Sequence, residues 1–245
     1  MSKKQYNLNL EIEEFIKLRD QNGGRYSREE VAYINQYAGY GGLGKFGAKG
    51  KGLLSEYFTP WEACEKMMGL AIKHGYTSGP VCEPSVGVGR FLHYVSPDEV
   101  VDAYEINPIS ARICEINFPH FKIHRQYFNE VFITETGENK PFSPKYNLVI
   151  GNPPYGDFEG RFTKKEQRNT GATKYVEYFI TRGLDLLLPG GLLIYIIQSA
   201  FLNEGMTAAK EAINAKSTML EAYRMPNNIF DETDEGADIV VFQKN

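Results

Sequence analysis

Beyond residue 53, short apolar runs of the sequence alternate with longer segments that have helical periodicity. The apolar runs are VCEP, VVDAYE, FKIHRQ, YNLVIG, LLIYIIQ, TMLEAYRM and ADIVVFQK. LLIYIIQ is almost entirely apolar, as expected of a strand that is covered on both faces of a sheet. The alternation predicts an α/β fold with a doubly wound, mainly parallel, seven-stranded sheet, and ligands bind such sheets at the carboxyl ends of the strands.

The predicted helices have recognisable ends. PWEACEKMMGLAIKHG ends at Gly75, and PISARICEINF carries a proline suited to its first turn. GRFLHYV is predicted to begin a helix, and MTAAKEAINAK is predicted to be helical. The long helix within ATKYVEYFITRGLDLLL is expected to stop at Pro189-Gly190-Gly191.

The first 52 residues have a different character from the rest. Residues 10–20 have the pattern of a short amphipathic helix, and a second helix is predicted to begin at Ser27, with Glu30 in the capping-box position. Residues 39–52 are dense in glycine and predict a loop or hinge. The sequence therefore suggests an N-terminal helical segment with a glycine-rich loop at 1–52, and a catalytic domain at 53–245.

Composition excludes several classes of protein. The 245 residues hold no apolar run near the ~18–20 residues that a membrane helix needs, and the start lacks a signal peptide, so we expect a cytoplasmic protein with no membrane contact. Cys64, Cys82 and Cys114 are scattered, which suggests buried free thiols. His120 and His124 have an i, i+4 spacing but fall in a predicted strand edge, so no metal site is expected.

The formal net charge of −4 argues mildly against nucleic-acid binding, but two stretches are locally basic. GLGKFGAKGKG carries Lys45, Lys49 and Lys51 without an acid. GRFTKKEQRNTGATK carries Arg161, Lys164, Lys165, Arg168 and Lys174 against Glu166 alone. By composition alone, a solvated loop is the favoured explanation of each stretch. Because residues 156–174 follow a candidate catalytic turn and include glycines, we expect a mobile loop at the mouth of the pocket.

Residues 83–91, EPSVGVGRF, directly follow a predicted strand, and we call them the glycine loop. Gly87 and Gly89 allow a tight turn and a close approach of the backbone to a ligand, which the amides of a following helix would face. The third glycine of a dinucleotide-binding loop is missing, which disfavours a nicotinamide cofactor. Glu105 lies roughly 20 residues further on, at a strand end, where an acid can accept the hydroxyls of a ribose.

Asn152, Pro153, Pro154 and Tyr155 directly follow the strand YNLVIG and form what we call the 152–155 turn. The prolines fix the backbone and remove two donors, so the carbonyls of the turn are available as acceptors. The side-chain carbonyl of Asn152 adds a second acceptor, and an amine with two hydrogens can satisfy both. Tyr155 offers a flat face on which a base or an amide can stack.

These motifs resemble, in order and from about Tyr57 to Lys244, the amino-methyltransferases that carry NPPY and act on adenine in DNA. The resemblance implies a Rossmann-like class I methyltransferase fold with S-adenosylmethionine as cofactor. The Phe58-Thr59-Pro60 segment resembles one that holds the methionine end, and Leu188–Gly191 resembles the turn before the fifth strand. Near Phe128 and Asn129 the family's usual acid is absent. The residues implied in cofactor binding are Thr59, Pro60, Glu83, Ser85, Gly87, Gly89, Phe91, Glu105, Ile106, Phe128 and Asn129.

The resemblance also bears on substrate and partners. Residues 37–43, residues 224–228 and residues 237–242 are similar to segments of adenine methylases in large phage and mobile-element proteins, some fused to helicases. It implies methyl transfer to the exocyclic N6 amine of adenine in DNA, with the 152–155 turn catalytic and Tyr155 stacking on the base. From the charge and position of the loop that follows this turn, we expect Lys164, Lys165 and Arg168 to contact the substrate. No target-recognition region is evident, so a specificity subunit or a larger partner is expected.

Other functions remain compatible with the sequence. RNA adenine is hardly separated from DNA adenine, and glutamine methyltransferases that modify release factors also carry NPPY. A non-enzymatic, cofactor-binding subunit is a further alternative, although the intact glycine loop, Glu105 and the 152–155 turn argue against it.

Overall fold

The computed structural model describes residues 2–40, 57–159, 163–226 and 236–245. A seven-stranded sheet with strand order β3-β2-β1-β4-β5-β7-β6 forms its centre, which confirms the predicted fold class. All neighbouring strands are parallel except β7, which is antiparallel to both β5 and β6. The strands are β1 (Val81–Glu83), β2 (Val101–Tyr104), β3 (Lys122–His124), β4 (Tyr146–Gly151), β5 (Leu187–Gln198), β6 (Ser217–Arg224) and β7 (Ala237–Lys244).

Helices flank the sheet and precede it. The predicted capping box is confirmed, because Ser27 and Glu30 satisfy each other's backbone amides at the start of the second helix. Asn107 and Pro108 begin the fourth helix as the sequence suggests. The helices are α1 (Lys3–Asn22), α2 (Arg28–Ile34), α3 (Trp61–Lys73), α4 (Pro108–Asn117), α5 (Thr163–Thr170), α6 (Tyr175–Leu186), α7 (Ala200–Asn203) and α8 (Ala208–Lys216).

Each face of the sheet is covered by its own apolar cluster. Side chains alternate along β4, so Leu148 and Ile150 join the cluster that includes α3, while Val149 joins the cluster that includes α6. Double coverage explains why β4 and β5 are nearly continuous apolar runs. The carboxyl ends of β1, β2 and β4 are thereby held side by side on a rigid platform.

A third apolar cluster joins the N-terminal helices to the rest of the protein. Ile12 and Ile16 of α1 pack with Ile34 at the end of α2, with Tyr37, and with Ile113 of α4, and all five are buried. Half-buried side chains near the glycine loop, Phe58 and Val88, pack against the same cluster. The division of the chain at residue 52 stays a prediction, and residues 41–56 lie outside the described part.

One predicted helix is shorter than an α-helix, and one predicted helix end is wrong. The helix that begins within GRFLHYV is a short 3-10 helix, Arg90–Tyr94. The long helix α6 ends at Leu186, before Pro189, because Leu187 already pairs with Tyr146 in the sheet. This pairing with a distant strand is not recorded in the local sequence.

The expected mobile loop at residues 156–174 is wrong in its second half, where α5 forms. Glu166 of α5 is fully buried and accepts from the guanidinium of Arg182 on α6 at 2.7 Å and 2.8 Å. The Tyr178 hydroxyl donates to the same carboxylate at 2.8 Å. The only acid in the basic cluster is thus turned inward, which fixes the helix against α6.

In the described part of the chain, every helix is too short or too polar to cross a lipid bilayer.

Candidate active site

A cavity of about 380 Å³ lies beyond the carboxyl ends of β1, β2 and β4, where the strand order reverses between β1 and β4. It brings together the glycine loop, the end of β2 and the 152–155 turn. Predicted site residues that line it are Ser85, Gly87, Glu105, Ile106, Phe128, Asn129, Asn152, Pro153, Pro154 and Tyr155.

The two loop glycines serve different purposes. Both have positive φ, 55° at Gly87 and 87° at Gly89, which favours glycine at each position. Gly87 lines the cavity, and a Cβ there would lie 3.0 Å from the Phe58 ring. A Cβ at Gly89 would lie 2.7 Å from Phe118 and 2.8 Å from Cys114. Gly89 therefore permits close packing on α4 and lines neither the large cavity nor the small recess beside it, and its contact with the cofactor stays a prediction.

Glu105 holds the glycine loop in shape. Its Oε2 accepts from the Gly87 amide at 2.8 Å and its Oε1 accepts from the Asn107 amide at 2.7 Å. Burial raises the pKa of Glu105, while these backbone amides oppose the rise. A carboxylate oxygen can accept more than one hydrogen bond, so Glu105 still has lone pairs for a ligand in the cavity.

Glu83, at the end of β1, is buried without compensation. It is 1% exposed, and neither carboxyl oxygen has a hydrogen-bond partner among the residues that the structure describes. Burial raises the pKa of Glu83 well above its ordinary value, and Glu105 raises it further. Glu83 lines a small recess of about 30 Å³ that adjoins the large cavity. An unpaired buried carboxyl of this kind is suited to a cationic ligand group.

Two hydrogen bonds fix the 152–155 turn. The Ser85 hydroxyl donates to the backbone carbonyl of Asn152 at 2.9 Å, which links this turn to the glycine loop. The Asn152 side-chain Nδ2 donates to the backbone carbonyl of Tyr57 at 3.3 Å. The Asn152 Oδ1 is buried and has no hydrogen-bond partner within the described part of the chain. The amide is thus oriented with its acceptor unused, at a residue that lines the cavity.

Aromatic rings line much of the same cavity. Phe158 stacks on Tyr178 with ring centroids 4.3 Å apart, and Phe128 lies 5.2 Å from Phe179. Tyr155 adds a further ring to the wall. Flat apolar walls next to convergent polar groups are typical of sites for planar ligands.

Other predicted site residues lie elsewhere. Thr59, Glu83 and Phe91 line the small recess, whereas Pro60 caps α3 and lines neither cavity. Lys164, Lys165 and Arg168 lie on α5, outside the cavity walls. Lys45, Lys49, Lys51 and Arg161 fall outside the described residues.

Sequence reasoning missed several residues of the site. Tyr57 and Arg90 fall within the stretches that the motifs cover, but neither was assigned a role, because their contacts depend on loops that are far apart in the sequence. For the aromatic wall from Phe158 to Phe179, the only signal in the sequence is the high density of Tyr and Phe residues after the 152–155 turn. Within the described ranges, no group of three or more His, Cys, Asp or Glu residues could hold a metal ion.

Comparisons with known proteins place this geometry in a family. Defense against restriction protein B of Escherichia phage P1 is 26% identical over 229 residues, which cover 91% of this chain and 9% of that protein. Type II methyltransferase M.HincII of Haemophilus influenzae is 29% identical over 160 residues, which cover 61% of this chain and 29% of that protein. The chain thus spans less than a third of the length of either relative.

A solved structure confirms the expected class of fold. It is a Listeria monocytogenes protein assigned to the class I S-adenosylmethionine-dependent methyltransferases, with a TM-score of 0.63 and 16% identity. The match covers 89% of this chain and 69% of that one. At this identity the likeness concerns the fold.

The family model described as Eco57I restriction-modification methylase matches residues 102–230, which include Glu105 and the 152–155 turn. The matched segment is more than half of the 245 residues. The protein therefore belongs to the Eco57I restriction-modification methylase family.

Proposed function

We propose that the protein transfers a methyl group from S-adenosylmethionine to the exocyclic N6 amine of adenine in DNA. The observation that carries the proposal is the Asn152 side chain. Its Oδ1 is buried at the cavity without a described partner, and its Nδ2 is held by the Tyr57 carbonyl. A buried acceptor left unpaired is unfavourable, and a ligand that donates from an amine removes the penalty.

The 152–155 turn would act on the lone pair of the amine. The N6 lone pair of adenine is delocalised into the ring, which makes the nitrogen a poor nucleophile. Hydrogen bonds from both amine hydrogens, to Asn152 Oδ1 and to the Pro153 carbonyl, would favour a tetrahedral nitrogen with an available lone pair. The proton leaves after the nitrogen has become cationic, so this arrangement does not require a general base.

The residues present fit S-adenosylmethionine. Glu105 would accept the ribose hydroxyls while still holding the Gly87 amide, and the Phe128 ring would lie against the adenine. Glu83, unpaired and buried, would accept the ammonium group of the methionine end. When bound, the cofactor supplies an electrophilic sulfonium methyl group. The chain's part is then to align the amine with that group and to exclude water.

The substrate side of the cavity suits an unstacked base. An amine inside a duplex is out of reach, so the base must be flipped out or arrive single-stranded. Tyr155 would stack on it. Lys164 and Arg168 are exposed on α5, and Lys165 is half-buried, so this helix would contact backbone phosphate without reading sequence.

DNA is favoured over RNA and over protein glutamine by the relatives. M.HincII is named as a type II methyltransferase, and the matched family is a restriction-modification family. Because both relatives are much longer than the matched segment, we propose that a further domain or a separate specificity partner chooses the target sequence.

The test is a tritium-transfer assay with labelled S-adenosylmethionine across pools of DNA, RNA and protein, followed by mass spectrometry of the nucleosides. We expect N6-methyladenine in DNA. Asn152→Ala should reduce the rate at saturation by about 10²–10³-fold, as for the loss of one preorganised hydrogen-bonding group in other enzymes. Label in RNA or in glutamine would replace the DNA proposal, and full activity of Asn152→Ala would end the mechanism.

A further inference from the structure

Arg90 is the penultimate residue of the glycine loop, and its environment is unusual. Its side chain is partly buried, and it forms no ion pair with a carboxylate in residues 2–40, 57–159, 163–226 or 236–245. Burial lowers the pKa of the guanidinium. A half-buried cation without a counter-ion is unfavourable unless its contacts compensate, so these contacts need an explanation.

Among the described residues, the hydrogen bonds and cation–π contacts of the Arg90 guanidinium go to Phe58, Thr59 and Trp61. Its Nη1 donates to the carbonyl of Thr59 at 2.9 Å and to that of Phe58 at 3.4 Å. The guanidinium carbon lies 5.6 Å from the centre of the Phe58 ring and 5.5 Å from that of Trp61. Arg90 therefore ties residues 57–60, which we call the 57–60 segment, to the glycine loop.

The same segment orients the catalytic amide. The Tyr57 carbonyl can only accept a hydrogen bond, so it selects the Nδ2 end of Asn152 and leaves Oδ1 as the unused acceptor of a residue that lines the cavity. If the carbonyl moved, the amide could turn and offer a donor to an incoming amine, which is also a donor. The correct orientation of Asn152 thus depends on the position of the 57–60 segment.

We propose that Arg90 is a positioning residue for methyl transfer, which holds the 57–60 segment so that the Tyr57 carbonyl keeps Asn152 Oδ1 available as an acceptor. The inference rests on the proposed function. It assigns to Arg90 an effect on the rate at saturation, which a residue that merely binds cofactor would not have.

The test compares Arg90→Met, Arg90→Lys and the control Arg125→Met in the full chain. Arg125 pairs with Glu115 on the surface, away from the cavity walls. At saturating S-adenosylmethionine and DNA, Arg90→Met should lower the single-turnover rate by about tenfold or more, as expected for a lost charge-assisted hydrogen bond. Arg90→Lys should recover much of that rate because it keeps a cationic donor. Fluorescence of Trp61, the only tryptophan, should show cofactor affinity changing far less than the rate.

A second readout requires neither cofactor nor activity. The side-chain amide resonances of Asn152 in the free protein should shift in Arg90→Met and stay in place in Arg125→Met. Weaker cofactor binding with an unchanged saturated rate would overturn the proposal and make Arg90 a cofactor ligand, and so would unmoved resonances. If the wild type transfers no methyl group to adenine, the proposed function fails, and the resonances still decide whether Arg90 orients Asn152.

Discussion

At the residue scale, the buried Glu83 destabilises the ligand-free protein, but its carboxyl group is suited to binding a cationic group of a ligand. A buried carboxyl with a raised pKa keeps its proton in the folded state at pH values where the unfolded chain has released it. The unfolded state then binds fewer protons, so the contribution of Glu83 to the free energy of unfolding falls as the pH rises above the ordinary value of about 4.3.

Glu83→Gln should therefore raise the melting temperature of the ligand-free protein at pH 8 more than at pH 4. The same substitution should weaken S-adenosylmethionine binding by about tenfold or more, because glutamine cannot supply the carboxylate that would face the ammonium group of the bound cofactor. Calorimetry over this pH range and titration of the cofactor measure the two effects. Glu11→Gln on the exposed side of α1 is the control and should change neither. Equal stabilisation at both pH values would contradict the assigned charge state.

Substituting the two loop glycines should have different effects, one mainly on cofactor binding and the other mainly on the stability of the fold. Gly87→Ala should mainly reduce cofactor affinity, because its Cβ would push Phe58 at the cavity wall. Gly89→Ala should mainly destabilise the fold, by about 1–3 kcal/mol, since its Cβ would overpack against Phe118 and Cys114. Denaturant unfolding and cofactor titration on both variants separate these outcomes. A stable Gly89→Ala protein that fails to bind cofactor would instead support the predicted ligand contact of Gly89.

At the element scale, α5 is held in place against α6 while its basic side chains face outward. Glu166, the one acid of the cluster, is buried against Arg182, so Lys164 and Arg168 point outward without a neighbouring acid on the same helix. Tyr178 bonds to Glu166 and also lines the cavity, which connects the helix to the proposed base pocket.

Replacing Lys164, Lys165 and Arg168 together with glutamine should weaken DNA binding and reduce its salt dependence by roughly one unit of slope per lost phosphate contact. Cofactor affinity should be unchanged. The matched control replaces Lys3, Lys4 and Lys17 of α1, which are also exposed, and should leave the slope alone. Fluorescence anisotropy at several salt concentrations measures the DNA affinity of both variants. If the dependence of affinity on salt is unchanged in the α5 variant, these residues are ordinary solvated surface.

Elements with strong local signals could be predicted from the sequence, and elements set by distant contacts could not. Apolar alternation located all seven strands, and Ser27 with Glu30 located the start of α2. The glycine loop and the 152–155 turn were placed together because parallel strands end at one edge of a sheet. Nothing in TKKEQRNT indicates that Glu166 is buried, since Arg182 lies on another helix. Likewise, the link from Tyr57 to Asn152 spans residues that only the folded chain brings together.

At the scale of the whole molecule, the third apolar cluster couples α1 and α2 to the site. Ile12→Ala should destabilise the protein by about 2–5 kcal/mol, because the side chain is fully buried among Ile16, Ile34 and Ile113. Phe58 and Val88 pack on this cluster, so cofactor affinity should fall as well. Unfolding followed by far-ultraviolet circular dichroism and by Trp61 fluorescence should give coincident transitions. A separate early transition of the helices, with cofactor binding intact, would show that they fold independently.

The position of β7 has a consequence for how the protein is made. This strand follows β6 in the sequence but lies between β5 and β6 in the sheet, and residues 237–242 are buried. While the ribosome is still translating residues before 237, β5 has no neighbour on that side, and the unpaired N–H and C=O groups of this apolar strand are open to other chains. An expression product that ends before Ala237 lacks β7 and keeps this edge open permanently, so we expect it to collect in inclusion bodies.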